Sequence, residues 1–175
     1  TVEDLLSCFQ AAAPEINFVQ FRRWYDQAGT PHVHLRWQYD AASQTLTIQA
    51  KQSRQDKAPL AKDHAWIIPI KITILAKNGD VIRPQSQLNL DKQGAFVLLL
   101  DQPEQTFMLN DISKPPQVLS FFQNFSAPVT LDDGYHPKDL LFLMRYDQDP
   151  YTRYDVACRL KIALIDDQAA GRLNT

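Results

Sequence analysis

The 175 residues carry 18 lysines and arginines against 20 aspartates and glutamates, a formal charge of −2, and 45% of them are apolar. A chain of this size and composition can bury a self-sufficient core without disulfide or metal support. The basic residues are scattered and the pI is near 6.0, which leaves no electrostatic footprint for nucleic acid, and no apolar run approaches the roughly 18 residues of a membrane span.

Thr1 and Asp4 form a shortened capping box, and Leu5, Leu6, Phe9 and Ala12/Ala13 continue at helical spacing until Pro14. Asn17 caps a second short helix through Phe18, Phe21, Trp24 and Tyr25, which Gly29 can end in the left-handed region before Thr30-Pro31. Two short helices with several large aromatics hold more apolar surface than they can cover between themselves. They are expected to pack on a β core or on something outside the chain.

From Pro31 the hydrophobic period becomes two. Val33, Leu35, Trp37 and Tyr39 alternate, as do the residues from Leu46 to Ala50, and Asp40-Ala41-Ala42-Ser43 suits a short hairpin connection between them. The charged stretch from Ser53 to Asp63, with Pro59, is expected to be an exposed loop and the most mobile part of the β region. Trp66 to Leu75 is the strongest strand, with Ile68, Ile70, Ile72 and Ile74 on one face and Lys71 and Thr73 on the other. Pro69 lacks a donor and marks an edge position or the start of pairing.

Asn78-Gly79 predicts a type I′ turn that folds Val81-Ile82 back onto the isoleucine strand. Further strands are expected at Leu88 and Leu90, Phe96 to Leu100, Phe107 to Leu109 with Ile112, and Val118 to Phe122, and the stretch from Phe125 to Leu131 closes the β region. Short strands with regular punctuation indicate an antiparallel sandwich rather than alternating βαβ units. After Asp132-Asp133-Gly134 the spacing returns to helical. Pro137 opens a helix through Leu140, Leu141, Leu143 and Met144 that ends near Asp147. Asp149-Pro150 then caps a final helix carrying Tyr154, Val156/Ala157, Leu160, Ile162/Ala163 and Ile165, with Gly171 in its terminating loop.

Groups that could carry chemistry are sparse. His32 and His34 share one strand face and could ligate one metal, but no third ligand is spaced nearby, so two solvent-facing polar residues are the preferred reading. His64 and His136 are isolated in loops. Cys8 and Cys158 sit in helical patterns and read as buried or semi-buried thiols of a reducing compartment, with a disulfide between them possible but disfavoured. With five glycines no phosphate-cradling loop can be drawn, and no Gly-x-Ser-x-Gly elbow is present. The pairs Asp132-Asp133 and Asp166-Asp167 read as loop and solvent-face residues. Cationic and aromatic groups mix at Arg22-Arg23 with Trp24-Tyr25, and at Arg145-Tyr146 with Arg153-Tyr154. Arg22, Trp24, Tyr25, Arg145, Arg153 and Tyr154 are therefore candidate contacts to another part of a larger molecule. The alternative is that the arginine stems cover core aromatics.

Three segments carry a family resemblance: the run from Phe21 to Pro31 (Phe-Arg-Arg-Trp-Tyr-Asp-Gln-Ala-Gly-Thr-Pro), then Phe125-Ser126-Ala127-Pro128-Val129, then Leu141-Phe142-Leu143-Met144-Arg145 with the run from Asp149 to Tyr154. They closely resemble bacterial aminopeptidase N, a family of zinc metallopeptidases, in the family's order across nearly the whole chain. The resemblance implies a mainly β fold, an immunoglobulin-like antiparallel β-sandwich flanked by N- and C-terminal α-helices. It implies that residues 1–29 end a catalytic domain, 30–134 form the sandwich, and 135–175 begin a helical C-terminal domain. The helical ends are expected to belong to those missing domains. It also implies zinc and peptide substrates for a parent enzyme, while the charge, hydropathy and thiols of the chain itself read as a cytoplasmic protein with no membrane and no nucleic acid among its partners. The family's His-Glu-x-x-His and Gly-x-Met-Glu-Asn motifs do not occur here, so no catalytic, metal or substrate-binding residue carries over and the chain alone is expected to be inactive. The competing reading is a stand-alone binding module of immunoglobulin or fibronectin type that recognises a partner by loops or an exposed edge.

Overall fold

The alternation in the sequence becomes two facing four-stranded sheets in the computed structural model, which describes residues 1–54, 60–61, 64–84 and 89–172. One sheet runs in the order β6 (Glu104–Leu109), β2 (Thr45–Ser53), β1 (His32–Asp40), β8 (Thr130–Asp132). The other is built around β3 (Ile68–Ala76), with β4 (Val81–Ile82), β5 (Phe96–Leu100) and β7 (Pro116–Phe121). Ile72 pairs with both Phe96 and Phe121, so β5 and β7 lie on opposite sides of β3.

Ile68, Ile70, Ile72 and Ile74 are fully buried, facing Val33 and Leu35 of β1 and Leu46 and Ile48 of β2 in one core. Each such side chain contributes about 1.5–3 kcal/mol by leaving water. Phe96, Leu98 and Leu100 complete this layer from β5. Beside the sandwich, α1 (Val2–Ala12), α2 (Phe18–Phe21) and α3 (Arg23–Asp26) precede β1, while α4 (Pro137–Tyr146) and α5 (Pro150–Ala169) follow β8. Thr1 and Asp4 make both bonds of the capping box, and Asn17 and Asp149 cap their helices through their side chains.

Local readings of the sequence are corrected at several points. The second helix is two four-residue pieces, and Gln27 caps the latter, so Gly29 takes its positive φ of 95° beyond the helix end. The β3–β4 turn is not type I′. Gly79 N–H donates to Ala76 O and Ala76 N–H to Asp80 O, a three-residue loop with only Gly79 at positive φ, so the bulge glycine does the turning. One pairing, β1 with β8, is parallel, because the chain crosses between sheets before β8. Leu90 lies in no strand, and Leu88 falls outside the described residues, as does much of the stretch read as a mobile loop. Cys8 faces solvent, since α1 buries Leu6 and a residue two positions on lies nearly opposite around a helix. Cys158 is partly buried, and both thiols are free.

Pro69 sits where pairing with β7 has not yet begun. There Ser126 stands in for a neighbouring strand: its hydroxyl donates to Pro69 O at 2.9 Å and accepts from Lys71 N–H at 3.1 Å. At the other end of β3, a Cβ on Gly79 would meet Tyr146 Cδ1 of α4 at 2.3 Å, so the turn is closed on that ring. Gly79→Ala is expected to lower unfolding free energy by about 2 kcal/mol, combining left-handed strain with the clash. Urea unfolding checks it, and an unchanged midpoint would contradict the seating of α4 on this turn.

Candidate functional site

The six candidate contact residues divide between the two ends of β3. Arg22 is exposed and paired with Glu3 at 2.9 Å and Asp26 at 3.1 Å. Trp24 turns inward, its Nε1 donating to Ile67 O at 2.9 Å and its ring tilted against Trp66 at 6.3 Å. Tyr25 is half exposed with its ring edge toward Phe21. Arg145 lies over the Tyr146 ring at 5.1 Å, Arg153 Nε donates to Met144 O at 3.2 Å, and Tyr154 is 70% exposed. Trp24 thus belongs to the sandwich core, whereas Tyr25 and Tyr154 face outward.

The joint at the start of β3 rests on residues that sequence reasoning missed. Gln20 is buried, and its amide donates to Ala65 O at 3.2 Å and Asp101 O at 2.6 Å. The Arg23 guanidinium also reaches Ala65 O. Beneath them Gln52 donates to Trp66 O at 3.0 Å and Gln102 O at 2.9 Å while its carbonyl accepts Trp66 N–H at 2.8 Å. Side-chain amides here satisfy backbone groups where the strands have stopped pairing, which removes the cost of burying them unbonded. The only signal for this in the sequence was a glutamine placed at the end of an alternating strand.

At the other joint the pair read as solvent-facing splits between two faces. Asp132 stays on the outer face of β8, bound to His34 Nδ1 at 2.9 Å and Arg36 at 3.0 Å. Burial raises its carboxyl, but the bonds from His34 and Arg36 outweigh this and hold it below the usual carboxylate range. Asp133, one step further on an alternating backbone, points the opposite way and takes both Arg159 guanidinium nitrogens of α5 at 2.7 Å, with its side chain 3% exposed. Gly134 follows them at a φ of +69°, the left-handed region that favours glycine, and a Cβ there would lie 2.8 Å from Arg36 Cζ. Tyr135 then folds back, its hydroxyl accepting Leu119 N–H and donating to Leu119 O of β7, and burial pushes that phenol well above its ordinary value.

A polar chain completes this joint. Thr73 on the outer face of β3 donates to Gln123 at 2.7 Å, and Gln123 donates to Asp147 at 3.2 Å. Asp147 accepts Asp149 N–H at 2.8 Å, and Asp149 caps α5 through Thr152 N–H at 2.8 Å. Leu75 and Val118 pack beneath against Leu140, Leu143 and Val156. Among the described residues no three histidine, cysteine, aspartate or glutamate side chains group as metal ligands. Asp166 and Asp167 lie on α5, not in a loop, and Asp167 pairs with Arg172 at 2.8 Å. What the arrangement does chemically is hold elements in place.

The family described as a domain of unknown function (DUF3458) with an Ig-like fold matches residues 29–134. The chain belongs to this family. Beyond the DUF3458 match, similarity extends through the helical ends. The chain is 37% identical to aminopeptidase N of Caulobacter vibrioides over 171 residues, 98% of the chain and 18% of that protein. It is 31% identical to aminopeptidase N of Escherichia coli over 160 residues, 90% of the chain and again 18% of the relative. The crystal structure of Legionella pneumophila aminopeptidase A in complex with aspartic acid matches at a TM-score of 0.78 and 25% identity, over 98% of this DUF3458 chain and 18% of that one. The chain therefore spans 18% of the length of these relatives. Among the described residues no helix is long and apolar enough to cross a membrane.

Asp147 offers a test of the second joint. Its Oδ2 is buried without a hydrogen-bond partner among the described residues, and burial pushes its carboxyl above the ordinary range. A carboxyl raised in the folded state favours folding in its neutral form, so its contribution is full below about pH 4 and is lost as pH rises through the folded value. Asp147→Asn is expected to flatten that decline and to raise the thermal midpoint at pH 8 more than at pH 4. Thermal melts across pH check it, and an equal shift at both pH values would contradict an ionising Asp147 with an unbonded Oδ2.

Proposed function

We propose that this chain is the interdomain β-sandwich of a zinc-dependent aminopeptidase, a structural piece that holds a catalytic and a helical domain at fixed separation and carries no active site itself. One observation carries the proposal: the two helical ends are anchored at opposite ends of a single buried strand, Trp24 at Ile67 before β3 and Tyr146 at Gly79 after it. Nine residues of β3 span roughly 26 Å at about 3.3 Å per residue. The DUF3458 match over residues 29–134 supports boundaries at 1–29, 30–134 and 135–175. The aminopeptidase relatives support a parent that releases N-terminal residues from peptides, by zinc-activated water.

Zinc does not fit this chain. His34 is tied to Asp132, and neither His32 nor His34 gains a third ligand among the described residues. The metal and the catalytic groups belong to the remainder of the parent in this reading, and a cytoplasmic location for it agrees with two unpaired thiols. Outward apolar side chains mark where the neighbours would seat: Leu5, Phe9, Val19 and Tyr25 at one end, Leu141, Tyr154, Ile162 and Ile165 at the other. Arg22, Arg145 and Arg153 flank these patches as polar rims. A stand-alone binding module would not need likeness to aminopeptidases through both helical ends, as 98% coverage shows here for one relative.

The purified chain, dialysed against zinc and then metal-free buffer, is expected to retain no stoichiometric zinc by atomic absorption and to release no chromophore from an amino-acid p-nitroanilide. Turnover that survives metal-free controls and repurification would overturn the proposal.

A further inference from the structure

Between the sandwich and α5 lies a cavity of about 360 Å³, in the range that holds small ligands. Phe122, Val129 and Val156 give it apolar walls, Tyr135 and Tyr151 line it with aromatic rings, and Asp133, Asp155 and Arg159 supply its charges. Those charges do not balance. Both terminal nitrogens of Arg159 are committed to Asp133 at 2.7 Å. Among the described residues Asp155, one turn before Arg159, has only that guanidinium as an ion-pair partner, at 3.8 Å and beyond hydrogen-bond reach.

Two carboxylates therefore share one guanidinium, a net charge of about −1 at a half-buried, aromatic-walled site. The Tyr135 hydroxyl is committed to Leu119, which leaves its ring to the cavity, whereas the Tyr151 hydroxyl makes no hydrogen bond among the described residues. Burial pushes the Asp155 carboxyl up, Arg159 pulls it down, and Asp133 adds to the upward push, so the site as it stands under-stabilises a carboxylate. What would complete it is a positive group with an apolar body, stabilised by Asp155 and by the aromatic faces.

We propose that this cavity binds an organic cation, a primary ammonium or guanidinium group on a short aliphatic stem, with its head at Asp155 and Tyr151 and its stem along Phe122, Val129 and Val156. The site is independent of the spacer role. Its ligand is either a free small amine or guanidine, or a lysine or arginine side chain of another polypeptide segment, and both share this chemistry.

The test is an NMR titration of the isotope-labelled 175-residue chain with n-butylamine, n-butylguanidine, sodium butyrate and the blocked tripeptide acetyl-Gly-Lys-Gly-amide. Saturable shifts confined to residues 127–135 and 151–159 are expected with the cations and not with butyrate. Asp155→Asn, which keeps the side-chain shape on a half-exposed helix position, is expected to weaken binding at least about fivefold, equivalent to about 1 kcal/mol. Tyr151→Phe provides a second variant, expected to weaken ammonium binding about twofold with the thermal midpoint unchanged. Tripeptide binding as tight as butylamine identifies a presented side chain as the source, and binding of the free cations alone identifies a small molecule. Absence of saturable binding by either cation, equal binding of butyrate, or undiminished binding by both variants would overturn the proposal.

Discussion

Everything in this molecule hangs on β3 being buried along its length and used at both ends. The isoleucine face packs into the other sheet, β5 and β7 flank it, and its outer face meets the C-terminal helices through Thr73 and Leu75. A strand enclosed in this way cannot slip by one residue without turning four isoleucines outward and Lys71 and Thr73 inward. Its ends therefore make fixed points, and both helical segments are tied to them.

Polar side chains extend this order past the sheets. Gln52, Ser126 and Tyr135 each bond backbone groups that lack a strand partner, at the start of β3, beside Pro69, and along β7. Asp133 and Asp149 do the same work for α5, one by gripping Arg159 and the other by capping the helix. The joints are thus built from directional bonds, whereas the core is built from non-directional burial. Directional bonds set orientation, which is what a spacer between domains requires.

The sandwich was legible because alternation and β-branching survive in a single sequence, as the run from Ile68 to Ile74 shows. Helix starts were legible for the same reason: Thr1 with Asp4, and Asp149-Pro150, are local signals that the structure keeps. The joints were not. Gln20 and Gln52 look like surface residues until four backbone carbonyls converge on them from distant positions, and Asp133 looks like its neighbour Asp132 until the alternation past β8 sends it toward Arg159. The turn at Gly79 was placed correctly but mistyped, since Asn-Gly serves a two-residue type I′ loop and also a three-residue loop whose bulge residue is the glycine.

The account's central claim is that the helical ends are held at a fixed separation by the sandwich. It is tested most directly by pulsed electron spin resonance between labels at Tyr25→Cys and Tyr154→Cys, both outward-facing, with Cys8 and Cys158 replaced by serine. The account predicts one narrow distance population. A broad or split distribution, with the sandwich itself folded, would contradict it.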